Sequence, residues 1–90
     1  MRMIVVYAIW SEEHRRIYVG MTRDIEKRLK EHNSGVTRSI RLFRPWKIIF
    51  TENCSNWESG RLKEKNYKKG IGKEFLKKLV QLINAYSWQR

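Results

Sequence analysis

A chain of 90 residues has room for one domain with one modest core, and 41% apolar residues are enough to build it rather than leave the chain disordered. Twenty Lys and Arg against nine Asp and Glu give a formal charge of +11, a self-repulsion that makes most sense with a polyanion as partner. Cys54 is the only cysteine and His14 and His32 the only histidines, which excludes an internal disulfide and a cysteine-built zinc site.

The first ten residues carry one charge and an apolar run that superficially resembles a secretory leader. The run is too short for a membrane span, lacks a small-residue cleavage site and ends in Trp10-Ser11-Glu12-Glu13. Met3 to Trp10 therefore reads as a strand covered on both faces in a cytoplasmic protein with no membrane association, and a lone thiol suits that compartment. Ser11 to His14 is a polar four-residue connection, and Arg15 to Met21 returns as a second strand. A regular hairpin then sets Trp10 opposite Arg15 and Tyr7 opposite Tyr18, with Gly20 on the same face, where a missing side chain leaves room for another group.

A helix follows directly. Asp24 and Glu26 suit its positive end, and Gly35 offers a left-handed exit. Its inward face, marked by Ile25 and Leu29, also holds Arg28 and His32, which is more chemistry than folding requires. Val36 to Pro45 is a basic loop with Arg38, Arg41 and Arg44, and Trp46 to Thr51 reads as a third strand. Ser55-Asn56-Trp57-Glu58 matches a capping box, opening a second helix that closes at Gly70. A third helix from about Lys73 presents Phe75, Leu76, Leu79, Val80, Leu82 and Ile83 as a wide apolar face, and Tyr86 to Arg90 has no clear assignment.

On the second helix, Trp57, Gly60, Glu64 and Tyr67 trace one face, directed inward by its aromatic and small members. Glu64 is then a carboxylate aimed at the interior, and it must be paired, neutralised or bound to a cation. The bland alternative is a salt bridge to Arg28. Gly60 in mid-helix costs about 1 kcal/mol relative to alanine, so close packing is expected there.

Tyr7, then Tyr18-Val19-Gly20 eleven residues on, then Arg28 and His32 on one helix and Glu64 on another resemble the GIY-YIG nuclease superfamily over about Val5 to Leu79. Tyr18 to Gly35 is the strongest part. Arg44-Pro45-Trp46-Lys47 and Glu64 to Gly70 are similar to the small stand-alone bacterial members, related to the N-terminal nuclease domain of the bacterial excinuclease. The first motif reads Val6-Tyr7-Ala8 and keeps only the tyrosine; the second has Val19 at its centre. Both departures fall on apolar strand positions.

The resemblance implies one α+β nuclease domain over residues 1–90, a small three-stranded antiparallel sheet flanked by three helices in the order β-β-α-β-α-α. It implies hydrolysis of DNA phosphodiesters with one divalent cation, Mg or Mn, and no small-molecule cofactor. Tyr7, Tyr18, Arg28, His32 and Glu64 are then the catalytic residues, with Glu64 the metal ligand. One carboxylate suffices, because a hard cation can keep several waters. Arg28 would neutralise charge building on the phosphate, and Tyr18 would orient or deprotonate the attacking water beside Tyr7. His32 is the other candidate base. Gly20, Arg23, Lys27, Arg38, Arg41, Arg44, Lys65, Lys68 and Lys69 are placed at the nucleic acid, contacting phosphates without reading sequence. The expected role is an endonuclease on branched or duplex DNA, with RNA not excluded, in repair, recombination or defence. Two rivals keep the charge without turnover: a non-catalytic nucleic-acid-binding module of the same fold, and a structural protein of a ribonucleoprotein particle. Neither needs an inward carboxylate.

Overall fold

Ile4–Ser11 (β1) shows no alternation of polar and apolar residues because both its faces are covered: seven of its eight residues are buried and the eighth, Val5, half-buried. The computed structural model describes residues 3–88, with side chains described through 84. Strand β1 pairs antiparallel with Arg16–Thr22 (β2) on one side and Lys47–Cys54 (β3) on the other, in the order β2-β1-β3. With helices Ile25–Ser34 (α1), Trp57–Tyr67 (α2) and Gly70–Trp88 (α3), this is the expected β-β-α-β-α-α arrangement. The connection after α1 holds one short 3-10 turn, Arg41–Phe43. Among the described residues no helix is long and apolar enough to cross a membrane.

The sheet separates two apolar clusters. Ile4, Val6, Ala8, Val19, Cys54 and Leu76 form one, beneath α2 and α3. Tyr7, Ile9, Ile40 and Trp46 form the other, joined by Tyr18, Ile25, Leu29 and Phe43. Between Ala8 and Ile9 the pairing to β3 slips past Ile49, and this bulge lets Ile49 and Phe50 both pack on the first cluster.

The hairpin corrects the expected register. Ser11 stays in the ladder opposite Arg16, its hydroxyl accepts the His14 N–H at 3.3 Å, and Arg15 takes a left-handed φ of 54°. The connection is therefore Glu12 to Arg15, one residue later than the polar run suggests. Tyr7 lies opposite Gly20 and Tyr18 opposite Ile9. Because the slip is even, every side chain keeps its face.

Helix α1 starts at Asp24, whose Oδ1 accepts the Lys27 N–H at 3.1 Å, and ends at Gly35 with φ 87°, as the sequence predicts. The cap of α2 is Asn56 rather than Ser55; its Oδ1 accepts the Ser59 N–H at 2.8 Å. Gly70, with φ 62°, begins α3 rather than ending α2. On α3 only Leu76 and Val80 of the expected face are buried. Phe75, Leu82 and Ile83 remain 43%, 67% and 39% exposed, because a three-stranded sheet covers a narrow stripe. Strand β3 outlasts its predicted end at Thr51, since Glu52 and Asn53 still pair with Val6 and Val5. Tyr86 to Trp88 continue α3, and Gln89 and Arg90 lie outside the described residues.

Candidate active site

Gly20 is buried in the edge strand β2, directly across from Tyr7. A Cβ there would lie 2.6 Å from the Tyr7 hydroxyl oxygen and 3.2 Å from Tyr18 Cε1, so the two phenols occupy the space that a side chain would fill. Their ring centroids are 6.5 Å apart on the α1 side of the sheet. Helix α1 brings His32 down onto both: its ring packs edge-on to Tyr18 at 5.3 Å, and its Nε2 lies 2.7 Å from the Tyr7 hydroxyl, sharing one hydrogen.

His32 and Tyr7 are sealed, at 0% and 1% exposure. Burial, and secondarily the Arg28 charge, lowers the His32 pKa from its ordinary value of 6.5 and keeps the ring neutral. Its Nδ1 is buried without a hydrogen-bond partner among the described residues. The Tyr7 phenol is pushed up to about 12, chiefly by burial; a hydrogen bond from Arg28 opposes the shift, and the nearby Tyr18 and Glu64 charges add to it. Tyr7 is a fixed hydrogen-bonding group, not an ionised one. Tyr18 is different: it is half-buried, and its hydroxyl has no hydrogen-bond partner among the described residues.

Arg28 stands at the mouth. Interaction with the Tyr7 phenol raises its already high pKa, and it pairs with Glu31 at 3.2 Å. The expected alternative of an Arg28–Glu64 bridge is therefore replaced by a local one. Glu64, on α2, has a side chain 22% exposed and pairs with Lys68 one turn on at 3.5 Å. Its charge adds to the upward shift of the Tyr7 phenol, while its side chain does not line the cleft of Arg28. Among the described residues no three His, Cys, Asp or Glu side chains cluster. A half-buried carboxylate whose one ion pair is to an exposed lysine nevertheless fits a hard cation that keeps most of its waters.

Helix α2 is held in place by two contacts. Gly60 meets the sheet closely: a Cβ on it would be 3.0 Å from Ile4 Cγ2 and 3.3 Å from Met21 Cε, so the close packing expected there is present. Tyr67 donates to Glu52 Oε1 at 2.7 Å, and Lys63 lies 3.3 Å from the same carboxylate. The Tyr67 phenol is pushed up to about 12 by burial and this bond. Trp57 breaks the expected inward face. Standing at the first turn, it is 40% exposed, with the Arg23 guanidinium 5.4 Å from its ring centroid.

The basic residues divide. Arg23, Lys27 and Arg28 line one open cleft with Trp57, of about 480 Å³. Lys65 lines another beside Trp57, and Lys68 borders a third with Tyr18. Arg38, Arg41, Arg44 and Lys69 are exposed but do not line the cleft of Arg28; Arg44 lies over Gly35 at the end of α1. Sequence reasoning missed Asn33. Its amide donates to the Trp46 carbonyl at 3.1 Å and accepts the Trp46 N–H at 2.6 Å, tying the end of α1 to the start of β3 and so fixing His32. Its only signal was adjacency to His32, which a helix-end asparagine does not distinguish from a simple terminus.

Neither the curated proteins nor the solved structures compared with this chain gave a match. A family model described as the GIY-YIG catalytic domain does match, over residues 3–78. That span contains every strand, α1, α2 and the paired tyrosines about Gly20, and the chain belongs to the GIY-YIG nuclease superfamily.

Proposed function

We propose that the chain is a divalent-metal-dependent endonuclease that hydrolyses DNA phosphodiesters without reading sequence. The observation that carries this reading is the packing of a pinned phenol and an unpartnered phenol around one glycine of an edge strand, with an arginine and a carboxylate whose charges act on the pinned phenol. Arg28 binds the phosphate and offsets the negative charge that grows on its oxygens as water adds to phosphorus. Tyr18, with its hydroxyl unengaged, orients that water and, as its phenolate, takes the water proton as the bond to the departing oxygen breaks and that oxygen is protonated from solvent. Tyr7 holds Arg28 in place and is itself held by His32, which is sealed from solvent and acts on the reaction only through Tyr7. Glu64 would hold the cation. When bound, Mg or Mn supplies Lewis-acid stabilisation and makes nearby hydroxyl groups more acidic.

A second reading, a binding module without turnover, draws support from Lys68, whose ammonium competes for the Glu64 carboxylate. A pair one turn apart whose lysine is exposed is worth about 1 kcal/mol or less, so it yields readily to a divalent ion. Incubating the protein with duplex, flapped and branched DNA, with and without manganese, separates the readings. Cleavage that requires the metal and disappears in Glu64→Gln supports the enzyme. Binding without cleavage of any substrate supports the module.

A further inference from the structure

Trp57 is the large aromatic that the fold leaves standing in the open beside Arg28, and neither the core nor the proposed chemistry uses it. It forms the wall shared by two clefts. One, of about 480 Å³, contains Arg23, Lys27 and Arg28; the other, of about 340 Å³, contains Arg61 and Lys65. The acids in these clefts are largely committed elsewhere: Asp24 caps α1 and Glu31 pairs with Arg28, leaving Glu58 in the second cleft. An indole between two sets of cations has the form of a stacking platform. Phosphates on either side satisfy the charges, and the base between them lies on the ring. Arg23, 5.4 Å from the ring centroid, adds a second planar surface. A base inside a duplex presents no face for such contact, because both its faces are covered by neighbouring pairs.

We propose that Trp57, with Arg23, stacks an unpaired nucleobase next to the phosphate held by Arg28, and that the preferred substrate carries single-stranded nucleotides at this point. The inference rests on the nucleic-acid reading of the same site and specifies its substrate class.

The test measures binding of the full chain, in EDTA so that no strand is cut, to one short labelled DNA oligonucleotide, single-stranded or annealed to its complement. Trp57→Ala should weaken single-strand binding about ten- to a hundredfold and duplex binding less than about twofold, while Trp57→Phe restores most of the loss. The slope of log Kd against log salt should stay unchanged in both variants, because stacking releases no counterions, whereas Lys27→Gln should lower it. An equal loss on both DNAs, a changed salt slope, or no loss in Trp57→Ala overturns the stacking proposal while leaving the nuclease reading intact. A wild-type protein that binds neither DNA at low salt overturns both. With the side chain 40% exposed, Trp57→Ala is expected to fold, and a melt of each variant checks this.

Discussion

Replacing Gly20 by alanine is the sharpest perturbation of the site, because local propensity and packing give opposite signs. In an extended strand, alanine restricts the unfolded chain and should stabilise by about 0.4–1 kcal/mol. The Tyr7 hydroxyl, however, lies 2.6 Å from the new Cβ and must retreat to reach ordinary contact at 3.4 Å, a shift of about 0.8 Å. Tyr7 has nowhere to go: it is 1% exposed and bonded to a His32 that is itself wholly buried. Overpacking costs about 1–3 kcal/mol, and stranding His32 Nε2 without a partner costs about 1–3 more. A net loss of about 1–5 kcal/mol follows, and a domain of this size loses ~4–8 °C in Tm per kcal/mol. Thermal melts by circular dichroism should therefore show Gly20→Ala well below wild type. The loss should be smaller in a Tyr7→Phe background, where the closest contact is gone. Gly60→Ala, whose nearest contacts at 3.0 and 3.3 Å include a flexible Met21, should lose less. A Gly20→Ala protein that melts at or above wild type would refute the geometry on which the whole site is built.

Glu64→Gln should leave Tm within a few degrees, since among the described residues the carboxylate is bridged only to an exposed Lys68, while metal-dependent cleavage falls about a hundredfold or more and DNA binding holds or tightens. A large loss of stability would show that Glu64 is structural. His32 ionises less readily folded than unfolded, so the unfolded chain takes up the proton first. Stability should be full above about pH 6.5 and decline as pH falls below it; His32→Gln should flatten that decline, and a wild-type Tm that is level down to about pH 5 contradicts the assignment. Asn33→Ala removes both bonds to Trp46 at a part-buried position, which should cost about 1–3 kcal/mol and shift Trp46 fluorescence to the red.

Most of the fold was legible because its signals are local. Asp24 and Gly35 mark both ends of α1 by chemistry that needs no tertiary partner, and an unbroken apolar run such as Met3 to Trp10 identifies a central strand. Arg28 and His32 could be placed by helical spacing and Tyr7 and Tyr18 by strand parity, and parity survived an error of two in the register. What failed depended on who covers what. Trp57 fits an inward face by spacing, yet it is left 40% exposed, lining a cleft with Arg23 and Lys27 rather than the core. Arg28 and Glu64 had compatible charges, but each found a closer partner on its own helix. The start of α2 moved from Ser55 to Asn56 because two adjacent residues can both cap, and only the backbone chooses. Asn33 was invisible since its importance lies in Trp46, thirteen residues away.

The two helices that supply the site are fastened to the sheet in unequal ways. Helix α2 presses its backbone against β1 and β2 through Gly60 and is latched to β3 by Tyr67. Helix α1 stands off on long side chains, Tyr7, Ile25, Leu29 and His32, with little close approach of its backbone to the strands. Local opening follows the weaker fastening. In native-state hydrogen exchange, the amides of α1 should gain deuterium ahead of those of α2 and β1. On the proposed function, the arginine side of the site is then a compliant jaw and the carboxylate side, which would carry the cation, a stiff one.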